Sequence, residues 1–235
     1  MYAFIRVNVK EIILIKERIK KMKKTIETTI KKEDEINMID IAAKIKHMRV
    51  YIEGDGDLVL NKMNARNFRM LNAPDRKSIR EVPNVWEDII TSLHWRDAVP
   101  MKDTYAESSQ EVFDKMMREN APCITAFGLK KSFGQAVTRN EIDKYSTKFD
   151  NAVNLNAING LIPITFDSWD LDERLMSPKR GAPLTVRLNH FHNWHAAFTV
   201  DYMDHVYSRD QILNIINLAG FGLGIGSGRT SGYGR

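Results

Sequence analysis

The residues best suited to chemistry lie in a glycine-rich segment near the end of the 235-residue sequence. Residues 224–234 read Gly-Ile-Gly-Ser-Gly-Arg-Thr-Ser-Gly-Tyr-Gly, so five of eleven are glycine and one is arginine. Glycine adopts backbone conformations with positive φ that other residues resist. A curled run of unobstructed backbone amides binds anions, and phosphate is a common one. The segment therefore predicts a loop that holds a phosphate group.

The residues before these glycines predict a helix that fixes their position. Ser208 followed three residues later by Gln211 is a capping box. The apolar residues that follow recur on one helical face, namely Ile212, Ile215, Ile216 and Ala219. Gly220 stands where a left-handed residue would end the helix. A frayed tail is the alternative for a glycine-rich terminus, but a well-specified helix favours an ordered loop.

The loop resembles the glycine-rich loop of the RAMP superfamily, the RNA-binding ferredoxin-like proteins of CRISPR systems. The shared pattern is Gly224-Ile225-Gly226, five residues that include Arg229, and Gly232-Tyr233-Gly234. The resemblance implies an α+β, ferredoxin-like (RRM-like) βαββαβ sheet with helical insertions, in which this loop follows the second helix. It also implies binding of a single-stranded, guide-type RNA backbone by Gly224, Gly226, Gly228, Arg229, Gly232 and Gly234.

A basic segment over 61–81 is the second candidate for RNA contact. Its cations stand among few acids, and Phe68 and Met63 beside them could stack or wedge against bases. Arginine forks match phosphate oxygens bidentately. The candidate residues are Arg66, Arg69, Arg76 and Lys77, with Lys62 and Arg80 in the same segment. A solvated loop or basic helix face explains the segment equally well.

Three histidines, His190, His192 and His195, form the candidate catalytic cluster. On a strand, His190 and His192 share a face and His195 points the other way. Two histidines at this spacing can bind a metal, but no acidic or cysteine partner is near in sequence, so we predict no metal. Some RAMP endonucleases use a histidine base on the RNA 2′-hydroxyl. His192 and His195 are the candidates for that role, although no family motif maps onto them.

The remaining periodicities predict the order of strands and helices. One strand over 49–60 is expected, interrupted by a turn or bulge at 54–57, where Asp55 and Asp57 fit a solvated turn better than a metal site. Helices are expected over 108–120 and 124–137, and strands over 153–166 and 183–202. The residues 167–181 predict a long polar excursion between those two strands.

Composition limits the class of protein. Hydrophobic residues make up 43% and charged residues 28%, which is ordinary for a globular domain. The single Cys123 excludes a disulfide framework or a cysteine zinc site and fits a reducing, cytoplasmic setting. No apolar run approaches the ~18 residues of a membrane span. We therefore expect a cytoplasmic protein without a membrane or cofactor partner.

The positive charge is concentrated at the N-terminus. Residues 1–48 hold 12 Lys and Arg against 7 Asp and Glu, whereas residues 49–235 hold 23 of each. We interpret 1–48 as a basic extension with a helix over 25–47, and 1–21 as mis-annotated upstream translation before Met22. The RAMP-like domain is expected over 49–235, with an insertion over 61–120. Its nucleic-acid surface must then come from local patches.

These observations favour a non-enzymatic RNA-binding protein, similar to a CRISPR backbone subunit or an orphan copy carried by a phage. The expected partners are single-stranded RNA and either other RAMP-type subunits or copies of the same chain. Two alternatives stay open. One is a metal-independent endoribonuclease that processes CRISPR RNA, and the other is a phage-encoded protein that mimics or inhibits a CRISPR complex.

Overall fold

The computed structural model describes residues 20–24, 45–72, 84–97, 108–176 and 184–235. The chain divides into two units, Met1–Ile45 and Lys46–Arg235. In the first unit, residues 20–24 are helical and exposed. The proposed start at Met22 is not tested by this fold, and most of the helix expected over 25–47 lies outside the described residues. Residues 45–47, expected at the end of that helix, instead belong to a strand.

The second unit is α+β, as the sequence predicts. Its described strands are β1 (Ile45–Glu53), β2 (Leu58–Leu60), β3 (His94–Trp95), β4 (Pro122–Thr125), β5 (Val153–Asn156), β6 (Leu161–Thr165), β7 (Ser168–Met176), β8 (Leu184–His192) and β9 (His195–Met203). Its described helices are α1 (Ala65–Asn72), α2 (Val85–Thr91), α3 (Gln110–Glu119), α4 (Ala126–Arg139), α5 (Thr147–Ala152) and α6 (Arg209–Gly222). Among the described helices, none is long and apolar enough to cross a membrane.

The main sheet has the strand order β1-β9-β6-β4-β3, and β5 also pairs with β9. The pairs of β9 with β5 and β6, of β6 with β4, and of β4 with β3 are antiparallel. The order β1-β9-β6, with α4 before β5 and α6 after β9, is compatible with a ferredoxin-like arrangement. The expected insertion over 61–120 is not only helical, because β3 lies within it and extends the sheet.

Two of the expected single strands are each divided between two sheets. β1 and β9 lie in the main sheet, whereas β2 and β8 lie in a three-stranded sheet of order β2-β8-β7. Trp194 occupies the bend between them: its carbonyl accepts from the Gly54 N–H at 3.1 Å and its indole N–H donates to the Gly56 carbonyl at 2.9 Å. A Cβ on Gly54 would lie 2.0 Å from that indole nitrogen. The expected bulge at 54–57 is therefore a change of sheet.

The prediction of a polar excursion over 167–181 is wrong for the first half of that range. Residues 168–176 form β7, which pairs antiparallel with β8 from Ser168 opposite His192 to Met176 opposite Leu184. Charged residues of β7 pair with cations of β8, as in the 2.6 Å ion pair between Glu173 and Arg187. Such cross-strand pairs stabilise a polar strand, and a single sequence segment does not reveal them.

Helices α4 and α6 cover one face of the main sheet. The rings of Phe133 on α4 and Phe198 on β9 lie 6.3 Å apart. The predicted apolar face of α6 is confirmed, because Ile212, Ile215, Ile216 and Ala219 are all buried. Burial of three isoleucines stabilises the fold by roughly 5–9 kcal/mol. The predicted capping box is also present, but α6 ends at Gly222 and the left-handed residue after it is Gly224, not Gly220.

Candidate nucleic-acid interface

The glycine-rich loop has a defined conformation that is tied to the neighbouring β2 and α4. Ser227 donates from its amide to the Val59 carbonyl at 2.7 Å and from its hydroxyl to the Asn61 carbonyl at 3.0 Å. The Gly234 amide donates to the Asp57 carbonyl at 2.8 Å. The Gly224 carbonyl accepts from the buried Ser132 hydroxyl at 2.9 Å. These contacts hold both ends of the loop.

Glycine is required in this loop for conformation and for close approach. Gly226 has φ 78°, and a Cβ there would lie 2.4 Å from the Val59 carbonyl oxygen. Gly234 has φ 66°, and a Cβ there would lie 2.1 Å from the Ile225 carbonyl oxygen. Gly232 has φ 96° but open space around it. Gly224 and Gly234 are buried, Gly232 is half-buried, and Gly226 and Gly228 are exposed, so the last two present the most backbone to solvent.

A cleft of about 240 Å³ lies between this loop and the neighbouring elements β2, β3, β4 and α4. The loop contributes Ile225, Gly226, Ser227 and Arg229, and the end of β2 contributes Leu60, Asn61 and Lys62. The far side is formed by Ser92, His94, Ile124 and the N-terminal turn of α4 with Thr125, Gly128 and Leu129. We call this space the loop cleft. The positive end of the α4 dipole lies at its wall.

The two cations of the loop cleft have no acidic partner among the described residues. Lys62 and Arg229 make no ion pair there, and both side chains are half-buried. Burial lowers the pKa of the Lys62 ammonium below its ordinary value. The backbone amides of Gly226 and Arg229 likewise have no acceptor within the described ranges. The cleft therefore concentrates positive charge and unused donors.

His94 also lines the cleft, which its position in the sequence does not indicate. Burial, followed by the nearby positive charge of Lys62, lowers the pKa of its imidazole below the ordinary value. The ring is therefore neutral at pH 7 and able to accept a proton. Its neighbours in sequence, Leu93 and Trp95, are core residues. The sequence around His94 therefore indicates a core segment and does not reveal that β3 directs this side chain toward the cleft.

Two further clefts adjoin the loop cleft and share Asn61 and Lys62 with it. One, of about 120 Å³, is lined by polar residues that include Arg66, Asp88 and Arg187. The other, of about 620 Å³, is lined by Met63, Asn67, Met70 and Leu71. Met63 is 54% exposed and Leu71 47% exposed. A continuous surface thus runs from the loop to α1, and its far part is apolar.

The predicted contact residues of α1 are engaged by buried acids. Arg66 forms a two-point pair with Asp88, at 3.1 Å and 2.7 Å, and Asp88 is buried. Arg69 lies 2.8 Å from the buried Glu87. Each pair compensates a positive charge that was expected to contact phosphate. Arg76 and Lys77 lie outside the described residues.

The candidate histidines lie outside the loop cleft. His192 contacts Asp57 at 2.7 Å and Asp170 at 3.1 Å, and these hydrogen bonds raise its pKa. A raised pKa favours the imidazolium, which cannot accept a proton as a general base must. His195 lies on the main sheet with its ring 5.4 Å from that of Tyr51. His190 is buried, edge-on to Tyr233 and 3.5 Å from Asp172.

Within the described part of the chain, no group of three or more His, Cys, Asp or Glu side chains is arranged to hold a metal ion. Asp57, considered above as a metal ligand, accepts from His192 instead. Cys123 is buried, and burial raises the pKa of its thiol to about 11. The thiol is therefore a poor nucleophile or ligand at neutral pH.

Comparison with known proteins gives one distant structural likeness. No protein-family model matches the sequence, and no curated protein matches it. The structure is similar to a chain of the Type III-B Cmr-beta bound to cognate target RNA, solved by cryo-electron microscopy, with a TM-score of 0.39 and 11% identity. That match covers 100% of this chain and 76% of the other.

Proposed function

We propose that this protein binds single-stranded RNA by its backbone in the loop cleft. The observation that carries the proposal is that Lys62 and Arg229 line the same cleft without an acidic partner among the described residues. A half-buried cation without a counter-charge is costly for the folded chain, and perturbed lysines of this kind are concentrated at functional sites. An anionic ligand supplies the missing charge.

Phosphate fits the donors of the loop cleft. The Arg229 guanidinium can engage two phosphate oxygens at once, and Lys62 acts as a point charge. The amides of Gly226 and Arg229 and the N-terminal turn of α4 add neutral donors. The buried Gly224 and Gly234, together with Gly232, then shape the loop, while Gly226, Gly228 and Arg229 meet the RNA.

The surface beside the cleft favours an unpaired strand. Exposed Met63, Met70 and Leu71 offer apolar contact to bases that a duplex would keep stacked inside. The loop's resemblance to RAMP proteins motivates the rest of the proposal, which is a CRISPR-related role with guide-type RNA. Other RAMP-type subunits or copies of this chain are the proposed protein partners. Arg76 and Lys77 stay proposed as a second contact, and Arg66 and Arg69 would contribute only by exchanging their acidic partners.

A filter-binding titration with single-stranded RNA across a salt series tests this proposal. Loss of one phosphate contact lowers the slope of log affinity against log salt by about 0.7 on a single strand. We therefore expect Lys62→Ala and Arg229→Ala each to weaken binding about tenfold and to flatten the slope by that amount, without a change in sequence preference.

The matched control for these variants is Lys115→Ala, which removes an exposed cation of α3 far from the cleft in sequence. Its side chain is 64% exposed and 3.9 Å from Glu119, so binding should stay at the wild-type level. Wild-type protein that fails to bind RNA at low salt would refute the proposal. Equal salt slopes for wild type, the two cleft variants and the control would mean that RNA binds outside the loop cleft.

RNA cleavage is a second candidate function, and His94 favours it. Its neutral imidazole lines the same cleft as Lys62, so it could take the proton of a 2′-hydroxyl whose phosphate the cations hold. Labelled RNA incubated with chelator should then be cut by wild-type protein but not by His94→Ala, which should still bind. RNA that stays intact with wild-type protein would leave binding alone as the function.

A further inference from the structure

We propose that the open face of the main sheet is a second RNA contact, which stacks unpaired bases instead of holding phosphates. This face lies opposite α4 and α6. Along β9, Ala196, Phe198 and Val200 are buried toward the helices, whereas Ala197 is exposed and His195 and Thr199 are partly exposed. No described element covers these outward side chains.

An aromatic pair stands on this face at the junction of two strands. Tyr51 on β1 is 60% exposed, and its ring centroid lies 5.4 Å from that of His195 on β9. An exposed tyrosine held by a neighbouring ring forms a rigid platform. Bases of single-stranded RNA stack on such side chains across the surface of a sheet, and the stacking tolerates any base because each has a π-face.

A shallow depression of about 450 Å³ continues the face beyond the aromatic pair. Its floor includes the small or apolar side chains of Pro163, Ala197 and Leu161, which leave room for a flat ring. Its lining also carries two guanidinium groups, one carboxylate and two amides, those of Arg49, Arg96, Asp97, Asn156 and Asn159. Apolar lining residues with polar groups beside them match a base and its attached phosphate.

The two guanidinium groups beside this depression favour RNA over an apolar protein partner. Arg49 is exposed and forms no ion pair with any described residue. Among the described residues, Arg96 pairs only with its exposed neighbour Asp97, at 3.1 Å, and with the Glu119 carbonyl. An apolar protein surface docked here would bury the Arg49 charge without compensation, whereas a nucleotide offers a ring to Tyr51 and a phosphate to Arg49.

Fluorescence of 2-aminopurine placed in single-stranded RNA tests the proposal, because stacking on an aromatic ring quenches it. Loss of one base–aromatic stack weakens binding by about 5- to 140-fold. We expect Tyr51→Ala to lose affinity in this range and to abolish the quenching, with an unchanged salt slope. Tyr51→Phe should keep both. Arg49→Ala should keep the quenching but flatten the salt slope by about 0.7.

Tyr145→Ala is the matched control, since Tyr145 is 63% exposed and follows α4 in an unrelated loop. If Tyr51→Ala binds RNA and quenches as Tyr145→Ala does, the sheet face holds no base and this inference is overturned. The proposal for the loop cleft is tested separately, because it depends on the Lys62 and Arg229 variants and not on Tyr51. Wild-type protein that gives no quenching at saturating RNA would also overturn it.

Discussion

The loop cleft and the three-stranded sheet β2-β8-β7 both concentrate ionisable side chains, but they differ in how the charges are compensated. On the three-stranded sheet, His190, His192 and Arg174 each contact a carboxylate of β7 or the 54–57 bend. In the loop cleft, Lys62 and Arg229 contact none among the described residues. The contrast teaches that a cation in the sequence is available to a ligand only where the fold supplies no acid.

The largest effect should follow from filling a glycine of the loop. Gly226→Ala places a Cβ 2.4 Å from the Val59 carbonyl at a φ that alanine resists, so we expect a loss of about 2–5 kcal/mol in the free energy of unfolding. Gly232→Ala meets open space and should cost only about 1–2 kcal/mol. Urea denaturation measures both. Equal losses would mean that the loop does not pack against β2 as described.

The next prediction compares Arg66, which has an acidic partner, with Lys62, which has none among the described residues. Arg66→Ala leaves the buried Asp88 without its two-point partner and should cost about 2–3 kcal/mol of stability, with little change in RNA affinity. Lys62→Met removes a desolvated charge, so stability should be unchanged or up to about 1 kcal/mol higher, while RNA affinity falls.

The pH dependence of unfolding checks the same contrast for Lys62. Because its pKa is lowered in the folded state, the unfolded chain binds more protons, and stability should rise with pH as the pH approaches the ordinary value of 10.5. Lys62→Met should abolish that rise. If Lys62→Met were less stable than Arg66→Ala, the expected difference between cations with and without an acidic partner would be reversed.

A smaller effect also distinguishes the two regions. One histidine in each region changes the folding stability with pH, and the two changes have opposite signs. The raised pKa of His192 gives stability that is full below pH 6.5 and lost as pH rises through the folded-state pKa. The lowered pKa of His94 gives the opposite: stability is full above pH 6.5 and lost as pH falls. Each contribution should be under about 1 kcal/mol at these part-exposed sites.

NMR titration of the imidazoles measures both shifts directly. His192→Gln should flatten the stability profile above pH 6.5, and His94→Gln should flatten it below. Lys62→Met should raise the pKa of His94, because the Lys62 charge contributes to its lowering. Shifts of the same sign for both histidines would mean that their surroundings do not differ as described.

The sequence predicted the features that one segment specifies alone. The capping box and apolar face of α6 depend on neighbours within two helical turns, and both are confirmed. The α+β class follows from such segments in order. The paired partners of Arg66 and His192 were not predictable, because Asp88 and Asp57 lie 22 and 135 residues away. Likewise, β7 is a polar strand whose pairing with β8 supplies the order that its own residues do not indicate.

The smallest effect tests the geometry of the cleft rather than its charge. Arg229→Lys keeps the positive charge but replaces a planar fork with a point charge. We expect an unchanged salt slope and a loss of only about two- to fivefold in RNA affinity, since one hydrogen bond of a bidentate pair is lost. Arg229→Ala should lose more and flatten the slope. If Arg229→Lys loses as much RNA affinity as Arg229→Ala, Arg229 orders the loop by its shape. If Arg229→Lys binds RNA as tightly as wild type, the cleft holds phosphate by charge alone.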